Sequence, residues 1–161
     1  MRVEELSQED FTALLAFRTG LRRYLRWSEG AVRAAGLTPA QHQLLLAVRG
    51  HDAARPPTVG ELAEYLLLRH HSTVELINRA EHAGLVARER DPDDNRVMRV
   101  RLTAAADRVL ADLTRVHLAE LRSLAPILDR LSTELKALED QPDGWRRPPD
   151  HSSRGPNSTQ Q

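Results

Sequence analysis

Pro57-Thr58-Val59-Gly60-Glu61-Leu62-Ala63, Asn78-Arg79-Ala80-Glu81-His82-Ala83-Gly84-Leu85-Val86, Arg88-Glu89-Arg90-Asp91-Pro92-Asp93-Asp94-Asn95-Arg96 and Val100-Arg101-Leu102-Thr103 are four runs that follow one another within 47 residues. Thr58 with Glu61 three positions on is a capping box, a helix start in which each side chain satisfies the other's backbone amide. Leu62, Ala63, Leu66 and Leu67 read as the buried side of the helix it opens. A turn near Leu68 to His70 leads to a second helix with Thr73, Leu76, Ile77 and Ala80 inward and Gly84 as its stop. Leu85 to Arg90, the turn cluster Asp91 to Asn95, and Arg96 to Leu102, where Met98, Val100 and Leu102 alternate with Val97, Arg99 and Arg101, spell a β-hairpin.

Working outward, Thr38-Pro39-Ala40-Gln41 is a second capping box, with proline in the first turn. Its helix carries Leu44, Leu45, Ala47 and Val48 and ends at Gly50, and His51 to Pro57 reads as loop. Upstream, Leu6 to Ala35 forms one long amphipathic helix with the stripe Phe11, Leu14, Leu15, Leu21, Leu25, Ser28 and Val32, stopped by Gly36. Downstream, Thr103 caps a long helix with the stripe Leu110, Leu113, His117, Leu121, Leu124, Leu128 and Leu131. Pro126 is expected to bend or break it, and Ser132 to cap a short final helix through Glu139. The fold class is therefore mainly α with a small β-hairpin wing, a winged helix-turn-helix flanked by long dimerisation helices. The expected division is an N-terminal dimerisation helix at 6–37, the winged lobe at 38–103, C-terminal dimerisation helices at 104–140, and a disordered polar tail at 141–161.

Composition narrows the function. At 161 residues and 40% hydrophobic content the chain suits one soluble domain with extensions. No apolar run approaches the roughly 20 residues of a membrane span. Met1 to Asp10 mixes Arg2 with four acids and resembles no secretory signal, so a cytoplasmic protein without membrane contact is expected. The chain has no cysteine, which removes disulfides, thiolate ligands and thiol nucleophiles. A phosphate-cradling glycine loop, a nucleophile elbow and a paired-histidine metal motif are all missing from the sequence, so neither an enzyme, a cofactor nor a metal site is expected. Twenty-three basic residues balance twenty-three acids, so a nucleic-acid partner has to be argued from placement rather than from bulk charge. Lys136 is the one lysine; the other cations are arginines, whose planar forks suit phosphate and base edges.

Over roughly residues 6 to 131 the chain resembles the MarR (multiple-antibiotic-resistance regulator) family of transcription factors. The most specific likeness is in the hairpin, where Asp91, Asp94 and Arg96 match the family's wing signature of two aspartates and an arginine. The resemblance implies a homodimer that binds double-stranded DNA at a pseudo-palindromic operator as a repressor and is released by a small aromatic or phenolic effector. Recognition-helix logic puts Arg69, His70, His71, Ser72 and Glu75 against the major groove. Arg96 would enter the minor groove with Asp94 orienting its fork, and Arg88, Arg90 and Arg99 would lie near the DNA backbone. Arg79 is expected to tie the recognition helix to the wing. The competing reading is a helical dimeric scaffold or protein-binding adaptor that uses its winged helix for packing, although such a wing has no need of arginines at its tip.

Three side-chain groups keep more than one reading. His70 and His71 suit base or phosphate contact, a solvated turn, or, least of all, a metal, because adjacent histidines diverge on a helix. His117 and Glu120 lie one turn apart, but His117 sits on the apolar stripe and reads better as a buried or interface histidine. Arg23, Tyr24 and Trp27, with Arg22 and Arg26 beside them and His42 on the next helix, suit an aromatic acid by stacking and charge pairing. They suit slightly better a dimer core of Tyr24 and Trp27 with a solvated arginine face.

Overall fold

Four of the helices begin at a side chain that satisfies orphan amides, and a fifth does not. Residues 7–52 and 54–139 are described by this computed structural model, with side chains to 133; Leu6 and the expected tail at 141–161 lie outside them. Ser7 and Asp10 form a capping box at the start of α1 (Gln8–Ala34), Thr38 and Gln41 at α2 (Pro39–Gly50), and Thr58 and Glu61 at α3 (Val59–Leu66). Thr103 accepts from the Ala106 amide at the start of α5 (Ala104–Leu121). The exception is α4 (His70–His82), whose N-cap Arg69 makes no side-chain capping bond. Gly36 at φ +79° and Gly84 at φ +69° supply the left-handed stops after α1 and α4 that a side chain would resist.

Strands β1 (Val86–Arg90) and β2 (Met98–Leu102) pair antiparallel with Arg88 opposite Val100. The Val100 amide also donates to the Pro57 carbonyl at 3.0 Å, which fastens the hairpin to the segment that starts α3. Leu44, Leu45, Leu62, Ile77 and Val100, all fully buried, meet Val32, Ala106 and Leu110 in one core shared by α1, α2, α3, α4, the hairpin and α5. Each such leucine contributes on the order of 2 kcal/mol by leaving water. The result is a mostly helical chain with one two-stranded antiparallel hairpin, built in the order expected. No described helix is long and apolar enough to cross a membrane.

Two expectations need correction. Leu67 does not pack inward with Leu66: it caps α3 in the left-handed region at φ 52° and is 93% exposed. The left-handed turn swings its side chain off the helical stripe. Ser132 opens no helix, because a three-residue tight turn (Arg122–Leu124) interrupts the C-terminal arm and α6 (Ala125–Glu139) begins seven residues earlier. The long helix is broken just before Pro126, as expected, and the proline stands in the first turn of α6, where its fixed φ suits a helix start and its missing N–H costs nothing. The α1 stripe is mostly uncovered within one chain, as expected of a stripe too long for the lobe to hide. Phe11, Leu14, Leu15 and Leu25 are 49–64% exposed, and the residues of α1 that are fully buried in its own chain are Ala13, Gly20 and Val32. A Cβ at Gly20 would lie 3.0 Å from Ile127 Cδ1 and 3.2 Å from Leu124 Cδ2, so the glycine sets how closely α6 lies against α1.

Candidate nucleic-acid interface

At 100° per residue, the buried Thr73, Leu76, Ile77 and Ala80 of α4 leave His71 and Glu75 at the centre of its opposite, outward face. His71 and Glu75 are exposed and lie one turn apart, with Nε2 3.8 Å from the Glu75 carboxylate. Ser72 is half-buried on the flank. His70, Val74 and Asn78 turn toward the wing, and with Thr58, Val59 and Gly60 of α3 and Arg96, Val97 and Met98 of the hairpin they line a cleft of about 490 Å³. Because Arg69 is no cap, the first-turn amides of α4 carry no side-chain acceptor. An anion is stabilised at such an end by the free N–H groups and the helix dipole.

The wing is braced from inside. Asp91 is buried, and its carboxylate accepts from Arg99 Nε, from Arg55 Nη1 at 3.3 Å, and from the amides of Asp93 at 2.8 Å and Asp94 at 3.2 Å. These bonds, the Arg99 guanidinium first among them, hold its pKa down at about 2. Arg99 also donates from Nη1 to the Pro56 carbonyl at 2.6 Å, and its side chain is only 16% exposed. Arg88 donates to Glu81 Oε2 and Asn78 Oδ1, both at 2.7 Å.

These bonds sort the arginines. Arg88 and Arg99 are both committed inside the lobe, where Arg88 ties α4 to β1 and Arg99 ties β2 to the entry of α3. Arg88 thus has the bracing part expected of Arg79, which is exposed and makes no ion pair among the described residues. Arg69, Arg90 and Arg96 are likewise exposed without an ion pair among the described residues. Asp94 does not orient the Arg96 fork. Its Oδ1 accepts the Arg96 backbone amide at 3.0 Å, a turn-stabilising bond to the chain two residues on, and this leaves the Arg96 guanidinium at the edge of the cleft. Arg55 was not singled out from the sequence, since nothing local in the loop pairs it with an acid 36 residues away.

A second cluster lies where α1, α2 and α5 meet. Tyr24, Trp27, His42 and His117 come together there, with the two imidazoles stacked at 4.9 Å and 15°. His117 is buried, as the better of its two readings had it. The Leu113 carbonyl, 2.7 Å away, can only accept, so Nδ1 carries the ring proton and Nε2 accepts from the Ser28 hydroxyl, also at 2.7 Å. Arg23 is exposed and is not part of the ring contacts. Among the described residues no three His, Cys, Asp or Glu side chains are grouped to hold a metal.

Burial, and then the neighbouring His117, lowers the pKa of His42 below that of an ordinary histidine. The folded chain therefore binds fewer protons than the unfolded one. The stability contributed is fully present above about pH 6.5 and is lost as pH falls toward the depressed folded value. Thermal scans should show a lower Tm at pH 5.5 than at pH 7.5, and His42→Phe, which keeps a ring in the stack, should flatten that difference. An equal slope in both proteins would clear His42 of the effect.

The MarR family profile matches residues 35–96, which span α2, α3, α4 and most of the wing. The chain is 34% identical over 109 residues to the uncharacterized HTH-type transcriptional regulator YcgE of Bacillus subtilis (strain 168), a match covering 68% of this chain and 69% of that protein. Its fold is similar to that of AbsC, a MarR family transcriptional regulator from Streptomyces coelicolor, with a TM-score of 0.62 at 20% identity over 86% of this chain and all of AbsC (100%). It is similar also to S. aureus MepR in a MepR–DNA complex, with a TM-score of 0.62 at 16% identity over 84% and 98% of the two chains. With a braced hairpin behind a helix-turn-helix, and with likeness in sequence and fold alike, the chain belongs to the MarR family, whose members are transcriptional regulators and not enzymes.

Proposed function

We propose that this chain acts as a homodimer that binds duplex DNA at a pseudo-palindromic operator, each protomer laying the first turn of α4 in the major groove and Arg96 in the adjacent minor groove. One observation carries the reading. Arg88 and Arg99 are spent holding the hairpin rigid, while Arg96 stands at its tip with no ion pair among the described residues. A wing used only for packing has no use for an unpaired guanidinium there, whereas a narrow minor groove concentrates the negative potential that attracts one. The uncapped start of α4, with Arg69 beside it, suits a phosphate at the groove edge, and Arg90 suits the flanking backbone. S. aureus MepR, solved with DNA, shares the fold.

The dimer would cover the apolar faces of α1 and the C-terminal arm, where Leu118 and Leu128 are exposed along with Phe11, Leu14 and Leu15. Repression in the cytoplasm, relieved by a small aromatic or phenolic effector, completes the reading. Tyr24, Trp27 and His42 offer faces for stacking at the junction between dimerisation helices and winged lobe, and Arg23 offers a nearby charge. Closing on such a ligand would shift the lobe relative to the helices that set half-site spacing.

Arg96→Ala tests the wing. It should weaken binding to specific and nonspecific duplex alike by about 1–3 kcal/mol and lower the salt slope by about one contact, with Tm unchanged because the side chain packs against little. Fluorescence anisotropy across a salt series reads both quantities. Unchanged affinity would return the hairpin to a packing role.

A further inference from the structure

We propose that Glu75 reads cytosine; the assignment rests on the DNA reading above. Glu75 lies one helical turn inside the start of α4, on the meridian opposite Thr73, Leu76, Ile77 and Ala80, which the lobe core buries. That meridian is the part of the helix that would point at base edges. Its side chain is 60% exposed. Arg79, one turn further along the same helix, is exposed and not ion-paired with it, so the carboxylate is not neutralised where an i,i+4 pair was available. Among the described residues its nearest ionisable neighbour is His71, whose Nε2 stands 3.8 Å away toward the helix start, beyond hydrogen-bond distance.

An uncompensated carboxylate on a DNA-facing helix is repelled by phosphate, so it belongs where a base offers only a donor. In the major groove cytosine presents its N4 amino group alone. Adenine sets the acceptor N7 beside its N6 donor, and guanine N7 and O6 and thymine O4 are acceptors throughout. A group that can only accept is therefore selective for cytosine by repulsion from the alternatives as much as by attraction. Glutamine at the same position has the same length and adds a donor beside the acceptor, which is the pattern that meets adenine N6 and N7.

The test is selection of bound fragments from randomised duplex by the full-length wild type and by Glu75→Gln, with affinity for a fixed nonspecific duplex measured alongside. Wild type should favour cytosine at one position in each half-site by about tenfold or more. Glu75→Gln should move that position to adenine, leave the rest of the motif as it was, and bind nonspecific duplex as tightly or more tightly. The same motif for both proteins overturns the assignment while leaving DNA binding intact. A wild type that binds no duplex overturns the DNA reading, and this assignment with it. Because Glu75 is exposed, both proteins should melt at the same temperature, so a change of motif reports base reading and not misfolding.

Discussion

Arg99→Ala should lower the melting temperature by roughly 5–10 °C, the largest loss expected from any single change in the wing. Arg99 joins three parts of the lobe: its Nε meets the buried Asp91, its Nη1 meets the Pro56 carbonyl, and its backbone bridges to Thr58 at the entry of α3. Removing one partner of a buried ion pair destabilises more than the pair itself stabilises, because the remaining charge stays in the protein with its main compensation gone. Asp91 would keep Arg55 and the two amides of its turn, so its carboxyl pKa should climb from about 2 toward the ordinary range. Wild-type Asp91, with its pKa depressed, contributes stability that is present above about pH 4 and lost as pH falls through about 2. Arg99→Lys should recover part of the loss, since an ammonium replaces the charge but not the fork that reaches both Asp91 and Pro56. Thermal unfolding of the three proteins at neutral pH decides it. Equal melting temperatures would mean that the hairpin is held by its strand pairing alone.

The second large effect concerns assembly. Light scattering should give wild type about twice 18.1 kDa, whereas Leu14→Glu combined with Leu118→Glu should give 18.1 kDa at micromolar concentration. Both leucines are more than half exposed in the single chain and neither belongs to its core, so the substitutions spare the folded protomer. Carrying a glutamate into an apolar interface requires desolvating a charge with no partner, and the symmetry of a homodimer doubles each substitution. The dissociation constant should rise by about 100-fold or more. Operator affinity should fall with it, because two half-sites held by one dimer are engaged at high effective concentration and two free protomers are not. A wild type that stays monomeric at these concentrations, or a double variant that stays dimeric, would place the interface elsewhere or remove it.

Signals that act over three or four residues could be read from the sequence, and those that act over tens could not. Thr38, Thr58 and Thr103 cap as expected, because a cap needs only its own side chain and an amide three residues on. The glycine stops at Gly36 and Gly84 are local in the same way. Leu67 was misread because periodicity counts a leucine after Leu66 as inward, while the left-handed turn there rotates it out. The arginines show the limit most plainly. Their forks suit phosphate wherever they stand, but which of them is free depends on acids and carbonyls brought in by the fold. Arg88 finds Asn78 ten residues away, and Arg99 finds Pro56 forty-three away, whereas Arg96 finds only its own turn. The ring cluster was half visible: Tyr24, Trp27 and His42 were grouped by chemistry, but His117 and Ser28, 89 residues apart, meet only once α1 and α5 pack.

Amide hydrogen exchange of the wild-type protein, with and without saturating duplex, locates the contact surface directly. Slower exchange concentrated at the start of α4, over residues 70–75, and at the wing tip, over 93–97, with α6 unaffected, is the expected result. Protection spread along α1 and α6, or none at the wing while duplex is bound, would contradict it.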